Sequence, residues 1–367
     1  MNRFAAHSNV RDALVSLALL MLGCSESPIH QGGSSGGTPI SAGPGGNDTL
    51  AGAGGSSMGG ARAEGGASST GGSSSGGGSI GGAPTVEDPG PMTSDARIYT
   101  AEGNEFVIDE IGSALGEVIA GGGVDNVTLY IHGRGCGGGG EPTKSLNGAM
   151  QDLESDYSSK ALMFNWPGSD VGCPLGFPEE EARASGPAFA HALHKLAYYV
   201  DTHAAALAGV KLVLISHSMG SLVLEESVAD DPMPFPAALF DTLVVGSSAS
   251  ARADHAAWLS KVDYSPQVYV TLNDGDNVLS AAGGAPGGTR LGKNVNGTML
   301  AANALYVDFT AASVNHAYYI HSGQNGQHMT DFYNDVMNGI PYDFAGSNAI
   351  NSIEERDGTF IYTFDGQ

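Results

Sequence analysis

Basic residues are scarce in this chain. Fifteen Lys and Arg stand against 39 Asp and Glu, leaving a net charge of −24 over 367 residues. So acidic a surface repels phosphate, which argues against nucleic acid and anionic membrane surfaces as partners. Cysteine is scarcer still. There are three, Cys24, Cys136 and Cys173, and no C-x-x-C spacing, so no zinc-type ligand set is expected. The glycine-rich run from Cys136 to Gly140 lacks the following G-K-[ST] of a phosphate-binding P-loop. The Asp/Asn cluster at 273–277 has no Glu at the spacing that closes an EF-hand. Neither a metal nor another cofactor is therefore expected. No internal repeat occurs outside low-complexity sequence.

Large apolar residues are nearly absent between Gln31 and Gly82, which is mostly Gly, Ser, Ala and Thr. Such a segment cannot bury enough surface to offset its ordering entropy. It reads as a tether, and about 65 residues of it would reach roughly 45 Å as a flexible coil. Before it, Arg3 and Arg11 precede an apolar run from Ala13 to Leu22, too short to span a bilayer. A basic start, a short apolar run and a small residue make an export signal. The run Met21-Leu22-Gly23-Cys24 resembles a bacterial lipobox, with Met21 and Leu22 departing mildly from the usual residues. That resemblance implies lipidation of Cys24. Several acyl chains on one terminus would give stable anchoring, and Ser25 after the cysteine matches outer-membrane sorting in that class. The expected organisation is a signal over 1–23, a tether over 24–94 and one domain over 95–367. The chain is expected to be exported and held by lipid at the bacterial outer membrane or cell surface.

Within the domain, apolar β-branched runs alternate with amphipathic segments. Strands are expected at 97–100, 105–108, 127–131, 161–166, 211–215, 241–245, 267–272 and 304–309. Helices are expected at 145–157, 179–206, 221–229, 254–262 and 329–337, with Pro187 kinking or interrupting the second of these. Such alternation implies a mostly parallel sheet with helices on both faces. A Gly-rich excursion at 281–297 is positioned to cover a site.

The stretch Lys211-Leu212-Val213-Leu214-Ile215-Ser216-His217-Ser218-Met219-Gly220 organises the rest. It reads as a strand, a sharp turn and the start of a helix, with Ser218 at the apex. On such a turn a serine hydroxyl is lifted out of the sheet, and small residues are needed two positions before and after it. Ser216 and Gly220 occupy those positions. Ser218 is therefore the candidate nucleophile, and the competing reading is a turn serine that caps the following helix. The glycines in His132-Gly133-Arg134-Gly135 follow a buried strand, which is where half of an oxyanion hole is built. The Arg134 and Met219 backbone N–H groups are the candidate donors, and His132 is expected to be structural. Asp274 or Asp276 lies after a later strand. His316 follows the last strand and His328 precedes the last helix. An order of Ser, then Asp, then His at strand ends can bring all three to one edge of a sheet. Cys136 and Cys173 lie on loops after neighbouring strands, where an exported chain permits a disulfide.

Several stretches recur in order along 127–339: Tyr130-Ile131-His132-Gly133, Phe164-Asn165-Trp166-Pro167-Gly168, Ser216-His217-Ser218-Met219-Gly220, Asn273-Asp274 with Leu279-Ser280, Arg290-Leu291-Gly292, and His316-Ala317-Tyr318-Tyr319. Together they resemble the α/β-hydrolase-fold family of bacterial proteins without assigned function, related to lipase- and esterase-like hydrolases. The resemblance implies an α/β-hydrolase fold, with Asp274 and His316 as the partners of Ser218. That family has Ala or Gly where this chain has Ser216, and has no counterpart of the glycine-rich loop after Arg134. The expected function is ester hydrolysis through an acyl-enzyme on a small-molecule or lipid ester, with thioester or amide cleavage as variants. The reading from another class is a binding or adhesion module that keeps the fold without turnover.

Overall fold

A computed structural model of the protein describes residues 86–134, 144–170, 177–229, 235–236, 238–283, 288–312, 315–320 and 326–366. The leader, Cys24, most of the tether, Cys136 and Cys173 lie outside the described residues.

Among the described residues ten strands form one sheet in the order β2-β1-β4-β3-β5-β6-β7-β8-β10-β9. They are β1 (Arg97–Thr100), β2 (Glu105–Val107), β3 (Asn126–Ile131), β4 (Lys160–Asn165), β5 (Lys211–His217), β6 (Thr242–Gly246), β7 (Val268–Leu272), β8 (Ala304–Asp308), β9 (Ile350–Arg356) and β10 (Thr359–Phe364). From β4 through β10 every neighbouring pair is parallel. The β1–β2 hairpin lies antiparallel against β4 at one edge, and β9 lies antiparallel on β10 at the other. Among the described residues eight helices accompany the sheet: α1 (Ile111–Ala120), α2 (Lys144–Tyr157), α3 (Glu179–Ala184), α4 (Gly186–Thr202), α5 (Gly220–Ser227), α6 (His255–Leu259), α7 (Asn277–Ala282) and α8 (Gln327–Met337). Among the described residues no helix is long and apolar enough to cross a membrane.

The central strands are apolar on both sides because both sides are covered. Side chains alternate between two cores. Leu129, Leu214, Leu243 and Val270 pack into one with α1, α4 and α5. Tyr130, Ile215, Val244 and Tyr269 pack into the other with α2 and α8. The result is three layers, helix on sheet on helix. With the parallel crossovers and a sharp turn between β5 and α5, this is an α/β-hydrolase fold, as the alternating pattern predicts.

Several local differences from the sequence reading have clear causes. The long helix expected over 179–206 is two, α3 and α4, separated at Ser185, with a proline in the first turn of α4. Proline is tolerated there because its missing N–H has no helical partner in any case. Helix α1 carries Gly112 and Gly116, which weaken its pattern. Their side-chain-free surface seats Tyr199, whose ring would lie 2.5 Å from a Cβ at Gly112. The C-terminal hairpin has only Asp357 and Gly358 between paired Arg356 and Thr359. Both turn residues have positive φ, 55° and 82°, as a two-residue primed turn requires. In the described part of the excursion expected over 281–297, Arg290, Leu291 and Val295 are buried, and Arg290 bridges to Ala251.

Candidate active site

Strand β5 ends at His217, and Ser218 turns the chain into α5 with φ of 52°. A non-glycine residue in this region is under strain. Bonds on both sides hold it there. Its N–H donates to Gly246 O at 3.0 Å, and its carbonyl accepts from Ser221 Oγ at 2.7 Å and from Ala249 N–H at 3.1 Å. Gly220 is required by close approach, since a Cβ there would lie 2.4 Å from Ile131 O and 2.8 Å from His132 O. Ser216, at the other small position, is fully buried, and its hydroxyl has no hydrogen-bond partner among the described residues.

The end of β3 meets this turn. A Cβ at Gly133 would lie 2.9 Å from Ser218 Cβ and 3.0 Å from His217 Nδ1, so the backbone of Gly133–Arg134 passes directly beside the serine. His132 is structural, as expected. Its ring stacks on Trp166 at 5.2 Å and 7°. Its Nε2 accepts the Trp166 N–H at 3.2 Å, while Nδ1–H donates to Gly133 O at 2.5 Å. Trp166 Nε1–H returns a bond to His132 O at 2.9 Å. These contacts select one neutral tautomer. They also fix the Gly133 carbonyl, and because the peptide is planar and trans, the Arg134 N–H points the opposite way. The Arg134 guanidinium lies over the Phe177 ring at 5.2 Å, worth about 0.5–1 kcal/mol at an exposed site.

Burial pulls the His132 pKa down to about 4. The sign follows directly. The unfolded chain gains a proton on His132 as pH falls through about 6.5, while the folded chain does not until about 4, so stability is lost across that window. Burial, with the charge of nearby His316, depresses His217 in the same direction. We expect unfolding midpoints in urea to fall between pH 7 and pH 5, with His132 alone accounting for about 2 kcal/mol by pH 5. This interval lies above the ordinary carboxylate range. A flat profile over it would count against a neutral, buried His132.

The carboxylate beside His316 is Asp276. Its Oδ2 lies 2.6 Å from His316 Nδ1, and its Oδ1 accepts the Leu279 N–H at 2.9 Å as the N-cap of α7. Its side chain is fully buried. Asp274 is a correction to the sequence reading as the histidine's neighbour. Its side chain is 56% exposed, accepts from Asn294 Nδ2 at 2.8 Å and lies 3.7 Å from Lys293 Nζ. The turn explains the difference. Asn273 Oδ1 accepts the Gly275 N–H and Asn273 O accepts the Asp276 N–H, both at 3.0 Å, which rotates Asp276 inward and leaves Asp274 on the rim. Lys293 Nζ closes the turn on Asp274 O at 2.5 Å and Ser280 Oγ at 2.7 Å. His328 is likewise not gathered with Asp276. It pairs with Asp365 at 2.7 Å, joining the start of α8 to the end of β10.

The loop carrying His316 is tightly held. Tyr318 OH shares a 2.8 Å bond with Thr271 Oγ1, and Tyr319 OH shares one of 2.8 Å with Tyr130 OH. The His217 ring packs on both His316 and Tyr319, with centroids 4.8 Å apart in each case. The residue preceding Ser218 therefore touches the histidine that Asp276 orients. Arg290 braces the same region from below, donating to Ala249 O at 3.0 Å and Ala282 O at 3.1 Å and pairing with Glu179 at 2.5 Å. Among the described residues no group of three or more His, Cys, Asp or Glu side chains is gathered as metal ligands.

No family model matches the chain, and no curated protein matches it. Among solved structures it is similar to a hyperthermophilic esterase from the archaeon Pyrobaculum calidifontis, at 12% identity over 58% of this chain and 76% of that one, with a TM-score of 0.31. It is also similar to the Pyrococcus furiosus esterase Pf2001, at 12% identity over 49% and 70% of the two chains and a TM-score of 0.26. A Trichoderma reesei cutinase in complex with a phosphonate inhibitor aligns at 13% identity over 64% and 86%, with a TM-score of 0.22.

Proposed function

We propose that the protein is a serine hydrolase that cleaves carboxylic esters through an acyl-enzyme on Ser218. The observation that carries this reading is the pair of His316 with the fully buried Asp276 carboxylate, packed against His217, the residue before a strained Ser218. In this reading Asp276 holds the Nδ1–H tautomer of His316, which leaves Nε2 with its lone pair. His316 Nε2 takes the Ser218 proton as Oγ attacks the ester carbonyl. The tetrahedral oxyanion is received by the Arg134 and Met219 N–H groups. His316 then hands its proton to the departing alcohol. A water, activated in the same way, releases the acid and restores the serine. His132 supports this chemistry indirectly by fixing the peptide that carries the Arg134 N–H.

Esters are less demanding acyl donors than amides for such a site, because an alkoxide leaves more readily than an amine. The choice of substrate class otherwise follows fold-level analogy. The test is covalent. A fluorophosphonate probe incubated with the full-length chain is expected to form one adduct, located by peptide mapping at Ser218. A folded protein that takes up no probe would overturn the reading and favour a binding module on the same fold.

A further inference from the structure

Ser247 follows β6 directly and is the neighbour, across the sheet edge, of the Ser218 turn. Its φ is 46°, and the residue is fully buried. A glycine would take this backbone conformation without steric penalty, whereas a serine takes it under strain. What the serine has and a glycine lacks is a hydroxyl, and that hydroxyl donates to His316 O at 2.6 Å. The same carbonyl also receives His217 Nε2–H at 3.4 Å. One backbone oxygen of the histidine is thus held from two strand ends. One belongs to the residue before Ser218. The other belongs to the residue after Gly246, whose carbonyl accepts the Ser218 N–H.

We propose that Ser247 is a positioning residue. Its hydroxyl fixes the main chain of His316 relative to Ser218, so that the imidazole stays in reach of the serine while Asp276 sets its tautomer. The inference rests on the serine-hydrolase reading for its kinetic consequence but not for its structural one. Asp276 constrains only the ring, through Nδ1. Tyr318 anchors the loop two residues further on. Ser247 holds the main chain of His316 itself, tying the end of strand β6 to the His316 loop by the shorter of the two bonds to that carbonyl. A misplacement of about 1 Å in a catalytic group can cost about 10²-fold in rate.

Two variants of the full-length chain, Ser247→Gly and Ser247→Ala, separate this role from a merely structural one. Glycine relieves the strain and removes the hydroxyl, and alanine keeps the strain and removes the hydroxyl. The first readout is kcat and KM on p-nitrophenyl butyrate, together with the thermal midpoint. The second is the far-downfield proton resonance of His316 Nδ1–H, assigned by its loss in His316→Gln and so told apart from the His191–Asp109 and His328–Asp365 pairs.

The expected result is a kcat about ten-fold lower in both variants with KM within about two-fold. Ser247→Gly is expected to keep the wild-type melting temperature more closely than Ser247→Ala, and the His316 resonance to shift or broaden in both. A melting temperature that drops in both variants while kcat and the resonance stay at wild-type values would overturn the proposal. If the wild type neither turns over ester nor labels at Ser218, the serine-hydrolase reading falls, and the resonance alone then decides the positioning role.

Discussion

Ser218→Ala is expected to lower kcat for ester hydrolysis by about 10⁵-fold or more, the scale on which loss of a triad serine acts. The fold should survive, because the bonds that shape the turn come from the Ser218 backbone and not from its hydroxyl. Alanine at φ of 52° carries the same steric penalty as serine, so the melting temperature should move little. Ser218→Gly provides the companion measurement. It should be equally inactive yet more stable by about 1 kcal/mol, because a residue held in a sparsely populated conformation costs roughly that much. A gain in stability with a total loss of turnover would mark the strain as serving the chemistry. An alanine variant that kept most of its activity would remove Ser218 from the mechanism, and the probe adduct would then have to be sought elsewhere.

Asp276→Asn is the second large effect, with turnover expected to fall by about 10⁴-fold. Asparagine is as good an N-cap as aspartate, so it keeps the bond to Leu279 N–H and with it the start of α7. What it loses is the acceptor pair. An amide facing Nδ1 either presents N–H to N–H or forces the ring to the other tautomer, and it cannot stabilise the imidazolium that forms on proton transfer. Asp274→Asn should leave kcat close to wild type. Its carboxylate is more than half exposed, and its ion pair with Lys293 is of the surface kind that contributes little. The opposite outcome, activity lost at 274 and kept at 276, would mean that the turn rearranges when substrate binds and that the geometry described above is not the working one.

The two aspartates show where sequence reasoning stopped. They are two residues apart in a turn, and both follow the same strand. Family resemblance pointed to the first. A local signal pointed to the second: Asp276 directly precedes the short helix α7 and caps it. That signal was weak because α7 is only six residues long and merges into glycine-rich sequence. The Asp-Gly turn of the C-terminal hairpin was a stronger signal. Strand β9 nonetheless carries no strand pattern, because it is charged and lies at an exposed edge, with no alternation to mark a buried face. Helix α1 is masked for the opposite reason. Its glycines lower helix propensity by about 1 kcal/mol each, and the reason they are there, the seat for Tyr199, lies some 80 residues away in sequence.

Sequence by itself determined the parallel sheet, the turn at Ser218 and a structural place for His132. These follow from short-range chemistry: strands buried on both faces must be apolar throughout, and a sharp strand-to-helix turn needs small residues two positions either side of its apex. It also determined that an acid and a histidine lie downstream of the serine at strand ends. Tertiary structure decided which acid and which histidine meet. Asp276 turns inward because Asn273 and the α7 N-terminus bind it, and His316 is held because Ser247, His217, Thr271 and Tyr130 bind its loop from the ends of four strands. The contacts that hold the His316 loop span from 47 to 189 residues of chain. No local propensity encodes such contacts, so they exist only once the sheet has brought its strand ends to one edge.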